Sequence, residues 1–155
     1  MRHVVFRLGE DRCALPLDAV REVVVPPDRY TRVPRAPAVV CGVMNLRGRV
    51  VTVIDLTGLL VRREADEGDA LTGRHCHTKN ARILLIDRGR RDLGLLVTDV
   101  EGIDELIPAE AEPDAAAPHR LTPSAVAGAA KLRDAAVCLL DPDGVDGLVG
   151  SVFGG

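Results

Sequence analysis

Several groups of side chains in this 155-residue sequence are of types that do chemistry. His75-Cys76-His77 offers three metal-ligating or acid–base groups on consecutive residues. Consecutive side chains diverge, and no second Cys/His pair stands at zinc-like spacing, so a solvated loop is the better reading and no metal is expected. Cys76 with His75, His77 or His119 has the makings of a nucleophile and its base, but no nucleophile motif surrounds it. Asp141-Pro142-Asp143-Gly144 opens like a calcium loop and lacks the Glu needed at the twelfth position, which leaves a plain turn. Gly42, Gly48 and Gly58 do not form a phosphate-cradling loop. The expectation is therefore no catalytic residue, no metal and no cofactor. Two charges remain. Arg47 either bonds carbonyls or carboxylates near its own turn or contacts a partner, and Glu22, an isolated acid between Val20 and Val23, has the same two readings.

The element that must position Arg47 runs from Val39 to Leu59. Arg47-Gly48 separates two apolar runs and reads as a hairpin turn, with Gly48 free to take positive φ. Val50, Val51, Val53 and Ile54 lead to Asp55 and read as a buried strand. This hairpin occurs twice. At a shift of eighty-six residues, Gly42 meets Gly128, and Val53, Ile54 and Asp55 meet Leu139, Leu140 and Asp141. At a shift of eighty, Val4, Val5 and Phe6 meet Leu84, Leu85 and Ile86, and Val20 and Val23 meet Val100 and Ile103. Two matched blocks in the same order indicate an internal duplication.

The remaining pattern is of short strands and turns. Val4–Leu8 and Cys13–Leu17 form a hairpin around Gly9, and Asp18 can cap a helical turn before strand resumes at Glu22. Thr98-Asp99-Val100-Glu101 has the form of a capping box for the matching turn in the second repeat. Residues 61–81 read as a linker between approximate lobes 4–60 and 82–143, and residues 144–155 as a Gly-rich, frayed tail. The expectation is an all-β fold, with two small barrel-like lobes sharing an interface core because each alone is marginal in size.

Composition narrows the partners. Hydrophobic residues make up 46% and charged residues 28%, the balance of a globular chain. A net charge of −3 and 2% aromatics argue against nucleic acid. No apolar run is long enough to span a bilayer, and only Met1-Arg2-His3 precedes the first strand, so the expected location is cytoplasmic, without direct membrane insertion. Cys13, Cys41 and Cys138 sit in apolar strand patterns, where Cys acts as a small buried hydrophobe.

The run Leu15-Pro16-Leu17, Val20, Glu22-Val23-Val24, Val33-Pro34, Ala36-Pro37, Gly42-Val43, Asn45-Leu46-Arg47-Gly48, Val51, Val53-Ile54-Asp55-Leu56 resembles the CheW family of chemotaxis coupling proteins. The second half agrees at Val97, Val100, Gly128-Ala129-Ala130-Lys131 and Leu139-Leu140-Asp141, so the resemblance runs from Val4 to about Asp143. It implies two SH3-like five-stranded β-barrels and a non-catalytic scaffold. The implied partners are the regulatory domain of a CheA-like histidine kinase and the helical tip of a methyl-accepting chemoreceptor, at membrane-associated receptor arrays. Carried over by position, the protein-binding candidates are Val20, Glu22, Val23, Arg47, Gly48, Gly94, Val97, Val100 and Ile103. Thr98 stands where the family usually has Asp, the 61–80 linker looks long, and the ending is Gly-rich instead of helical. A CheW-like module that binds one partner in a non-flagellar pathway, and a small ligand-binding barrel or enzyme, are the alternative readings.

Overall fold

A computed structural model describes residues 1–61, 79–86, 92–108 and 121–153. The first repeat holds β1 (Arg2–Leu8), β2 (Asp11–Pro16), a 3-10 turn at Leu17–Ala19, β3 (Val20–Val24), β4 (Val40–Leu46), β5 (Arg49–Asp55) and a short helix α1 (Leu56–Leu60). The second repeats the order of strands and closing helix as β6 (Arg82–Ile86), β7 (Leu93–Val97), β8 (Asp99–Glu105), β9 (Val126–Leu132), β10 (Ala135–Leu140) and α2 (Pro142–Val152), with its 3-10 turn at Pro123–Ala125, after β8 and not before it. The strands form two five-stranded sheets, β8-β1-β2-β10-β9 and β3-β6-β7-β5-β4. Exchange each strand for its counterpart in the other repeat, and one order becomes the other.

The duplication extends to single residues. The parallel pairing Thr52↔Leu93 and Val53↔Gly94 has its counterpart in Cys138↔Cys13 and Leu139↔Ala14. Both β3 and β8 carry a bulge, at Arg21 and Glu101, and both β4 and β9 carry one at Cys41 and Ala127. Val53 and Leu139 are buried at matching strand positions, as the shift of eighty-six requires.

The sheets are not the two sequence halves. The β1–β2 hairpin lies between β8 and β10 of the second repeat, and the β6–β7 hairpin lies between β3 and β5 of the first. Lobes made of residues 4–60 and 82–143 do not describe this exchange. The chain crosses between sheets at the 3-10 turn Leu17–Ala19 and again at Thr98, so β3 and β8 each join the sheet opposite to the hairpin that precedes them. Matched apolar positions locate the repeats but do not say which copy a hairpin joins. Each hairpin is apolar on both faces, with Val4, Val5, Phe6, Ala14 and Leu15 all buried, so it needs strands on either side and a core above and below.

Three cores result. One belongs to the β3-β6-β7-β5-β4 sheet and includes Met44, Val51, Val53, Ile83, Leu85 and Leu96. A second, with Val5, Ala14, Ala130, Val137 and Leu139, belongs to the other sheet. The largest lies between the sheets and takes Phe6, Leu15, Ile54, Leu84, Leu95 and Leu140 together with both helices. This is the shared interface core that lobes of marginal size require.

Closure of each sheet into a barrel uses the segment after β3 or β8. Thr31 exchanges backbone hydrogen bonds of 2.9 and 2.8 Å with Val43 of β4, and Pro108 bridges Ala130 of β9. Gly42 makes the first closure possible. Its φ is +142°, and a Cβ there would lie 2.5 Å from the Thr31 carbonyl oxygen.

Three local expectations are corrected. Residues 142–152 form a helix, where a turn and a frayed tail were expected. Asp141 caps it by accepting from the Asp143 amide at 3.2 Å, Pro142 fills the first turn, and Val145 and Val149 bury one face. Thr98 starts no helical turn; Asp99–Glu105 is strand, and the Thr98 hydroxyl accepts from the Gly9 amide at 2.8 Å. Asp18 likewise makes no side-chain cap on the Leu17–Ala19 turn.

Candidate functional site

Arg47 and Gly48 form the two-residue turn between β4 and β5, with φ of 50° and 85°. Positive φ at both positions is the type I′ arrangement that matches the twist of a hairpin. The Asn45 side-chain oxygen accepts from the Gly48 amide at 2.9 Å and holds the turn. The guanidinium then reaches across to β3 and grips Glu22 in a bidentate pair, Nη1 to Oε1 at 3.1 Å and Nη2 to Oε2 at 2.5 Å. Because β3 and β4 are the two edges of their sheet, this pair spans the seam of the barrel. The hydrogen bonds from Arg47 hold the Glu22 carboxyl below the ordinary carboxylate range against a smaller opposing effect of desolvation. Both readings of Arg47 and Glu22 thus meet in one geometry: they bond each other, and both side chains stay open to solvent at 67% and 36%.

Val23, next along β3, is 40% exposed, and its counterpart Ile103 on β8 is 58% exposed. Both lie on edge strands. Between matched apolar positions the charge differs. Where β3 has Glu22, β8 has Gly102 at φ +145°, and the turn matching Arg47-Gly48 is Arg133-Asp134, at φ 51° and 65°. Each barrel therefore presents an apolar side chain at the same place in a different electrostatic setting.

Other candidates lie deeper. Val20 is buried in the core between the sheets, and Val100 packs partly buried against it. Gly94 and Val97 are buried in β7, whose five residues are all inaccessible. A Cβ at Gly94 would come within 2.5 Å of the Ile83 side chain, so this glycine serves close packing and has no surface to offer. The candidates that share an accessible surface are Glu22, Val23, Arg47 and Gly48 on one barrel and Ile103 on the other.

One ion cluster escaped the sequence reading. Arg7 donates from Nε to Glu101 Oε1 at 2.6 Å, and Arg12 Nε lies 2.9 Å from Oε2. Burial pushes the Glu101 carboxyl up, but the two guanidiniums outweigh it and hold the group below its ordinary value. The available signal was the shift of eighty, which places Glu101 at the bulge position of Arg21. Among the described residues no group of three or more His, Cys, Asp or Glu side chains could hold a metal. His75, Cys76, His77 and His119 lie outside the described residues. No described helix is long and apolar enough to cross a membrane.

Comparison with known proteins agrees with this architecture. The family model for the CheW-like domain matches residues 2–146. A chemotaxis protein CheW from Helicobacter pylori is 32% identical over 112 residues, covering 69% of this chain and 65% of that protein. A probable chemotaxis protein CheW from Rhizobium etli is 34% identical over 110 residues, covering 67% of this chain and 63% of that protein. The chain thus spans somewhat under two thirds of the length of these two relatives. The crystal structure of the scaffolding protein TtCheW from Thermoanaerobacter tengcongensis superposes with a TM-score of 0.67 at 27% identity, covering 90% of this chain and 83% of that one. With the matched registers, the closed barrels and a family match over nearly the whole length, the chain belongs to the CheW-like domain family.

Proposed function

We propose that this chain is a non-catalytic adaptor that couples a chemoreceptor to a CheA-type histidine kinase in a bacterial chemosensory pathway, and that it is recruited to receptor arrays by those contacts. The observation that carries the reading is the paired edge site. Two barrels of one fold present an apolar side chain at one equivalent position, Val23 or Ile103, with Glu22–Arg47 beside the first and Gly102 beside the second. Apolar centres with polar surroundings are how moderate protein interfaces are built. Sites matched in strand position and unlike in charge suit two different partners, which an adaptor must hold at once. The kinase regulatory domain and the helical receptor tip are the partners that the family suggests.

Binding of the purified chain to each partner tests this. Val23→Asp and Ile103→Asp should each weaken one partner by about 2 kcal/mol, on the scale of an interface anchor, while circular dichroism melting stays near wild type. Val20→Asp is the structural control: it buries a carboxylate in the shared core and should unfold the chain. If both exposed variants bind both partners at full affinity, these edge sites are not the docking surfaces.

A further inference from the structure

We propose that Cys13 and Cys138 form a dithiol that hydrogen peroxide closes into a disulfide, stapling the N-terminal hairpin to β10. The two residues are direct partners in the parallel β2–β10 ladder, which has only one other pair, Leu139↔Ala14. Neighbouring strands lie about 4.8 Å apart. That falls inside the range of roughly 4.4–6.8 Å between Cα atoms that a disulfide spans. Both side chains enter the core between the sheets, so they leave their strands on the same face. Both are free thiols, and each shifts the proton affinity of the other. At the matching ladder position in the other sheet stand Thr52 and Leu93, so the dithiol belongs to one barrel only.

The two sulfurs are not equivalent. Cys13 is fully buried, and neighbouring Cys138, together with desolvation, pushes its thiol up. Cys138 lines an open groove of about 310 Å³ whose walls are Ala135 and Ala136 together with Arg7, Glu10, Asp11 and Arg12, which gives a small oxidant a way in. Cys13 also favours the Cys138 thiolate over its ordinary balance. Cys138 is therefore the attacking sulfur and Cys13 the resolving one. The Cys138 thiolate attacks one peroxide oxygen; an S–O bond forms, the O–O bond breaks, and hydroxide leaves to become water with the proton that Cys138 gave up. Cys13 then attacks the sulfenic sulfur; the S–S bond forms, the S–O bond breaks, and the departing hydroxide takes the Cys13 proton as a second water. Two thiols and one peroxide become one disulfide and two waters.

The full chain, treated with one equivalent of hydrogen peroxide, alkylated under denaturing conditions and digested, tests this by peptide mass mapping. A Cys13–Cys138 linked peptide is expected, with the free-thiol count falling from the four cysteines of the chain toward two. Because the link closes a long loop, the melting temperature should rise by about 5–10 °C and return on reduction with dithiothreitol. Cys13→Ala should abolish the rise and leave Cys138 as a sulfenic acid that dimedone traps. The wild-type peptide map decides the matter even if that variant does not fold. Linkage of Cys138 to Cys41 or Cys76, or full alkylation of both Cys13 and Cys138 after treatment, would overturn the proposal.

Discussion

Arg47 shows what a sequence can say about one residue. Its turn was legible, because two residues between apolar runs, the second of them Gly48, have few other conformations. Its partner was not. Glu22 lies far back along the chain, and the two meet only because the edges of a sheet curl together. Gly94 and Val97 failed as surface candidates for a related reason: an apolar strand reads the same whether one face is buried or both, and β7 is buried on both. The Arg47–Glu22 pair makes a prediction of definite sign. Glu22 has a folded-state pKa below its ordinary value, so the pair contributes stability above that ordinary value and loses it as pH falls through the lowered one. In Arg47→Gln the Glu22 carboxyl, followed by NMR, should titrate at a higher pH than in wild type. An unchanged midpoint would mean that the bidentate pair does not persist in solution. The two side chains are exposed, so the loss of melting temperature should be small and should shrink further in salt.

The repeat spacing and most of the strands were legible because apolar periodicity, glycines and aspartates recur together. α2 was missed through weight given to its glycines; its signal was Asp141-Pro142 as cap and first turn, with Val145, Leu148, Val149 and Val152 at helical spacing. Strand β8 was missed because a capping-box pattern describes local preference, while pairing with β1 decides the outcome. The repeats also supply a matched experiment on barrel closure. Gly42 and its counterpart Gly128 occupy the same position in β4 and β9, yet only Gly42 has positive φ and a backbone carbonyl in the space a Cβ would fill. Gly42→Ala should cost about 3 kcal/mol in chemical denaturation. Gly128→Ala should fall within about 0.5 kcal/mol of wild type. Equal effects would mean that Thr31 does not seal its barrel as described.

At the scale of the molecule the exchange of hairpins governs stability. A fragment ending within residues 62–78 keeps β3, β4 and β5 but lacks the β6–β7 hairpin they pair with, and its own β1–β2 has no sheet to join. Neither half should show a cooperative thermal transition by itself. The two mixed at equal concentration should form a one-to-one complex with the circular dichroism of the intact chain. A half that melts cooperatively alone would contradict the exchange. The duplication pointed to two similar units, but nothing in the order of apolar residues along the chain distinguished self-contained barrels from interlocked ones. The same topology imposes a schedule on synthesis. β1 and β2 leave the ribosome first, but the strands that flank them, β8 and β10, are among the last to be made. At roughly 5–20 residues per second the hairpin waits on the order of 10 s with both outer edges unpaired and its apolar faces bare. Neighbouring chains on one messenger RNA are then close enough to trade hairpins, so dense translation favours interlinked dimers that single, well-spaced ribosomes would not produce.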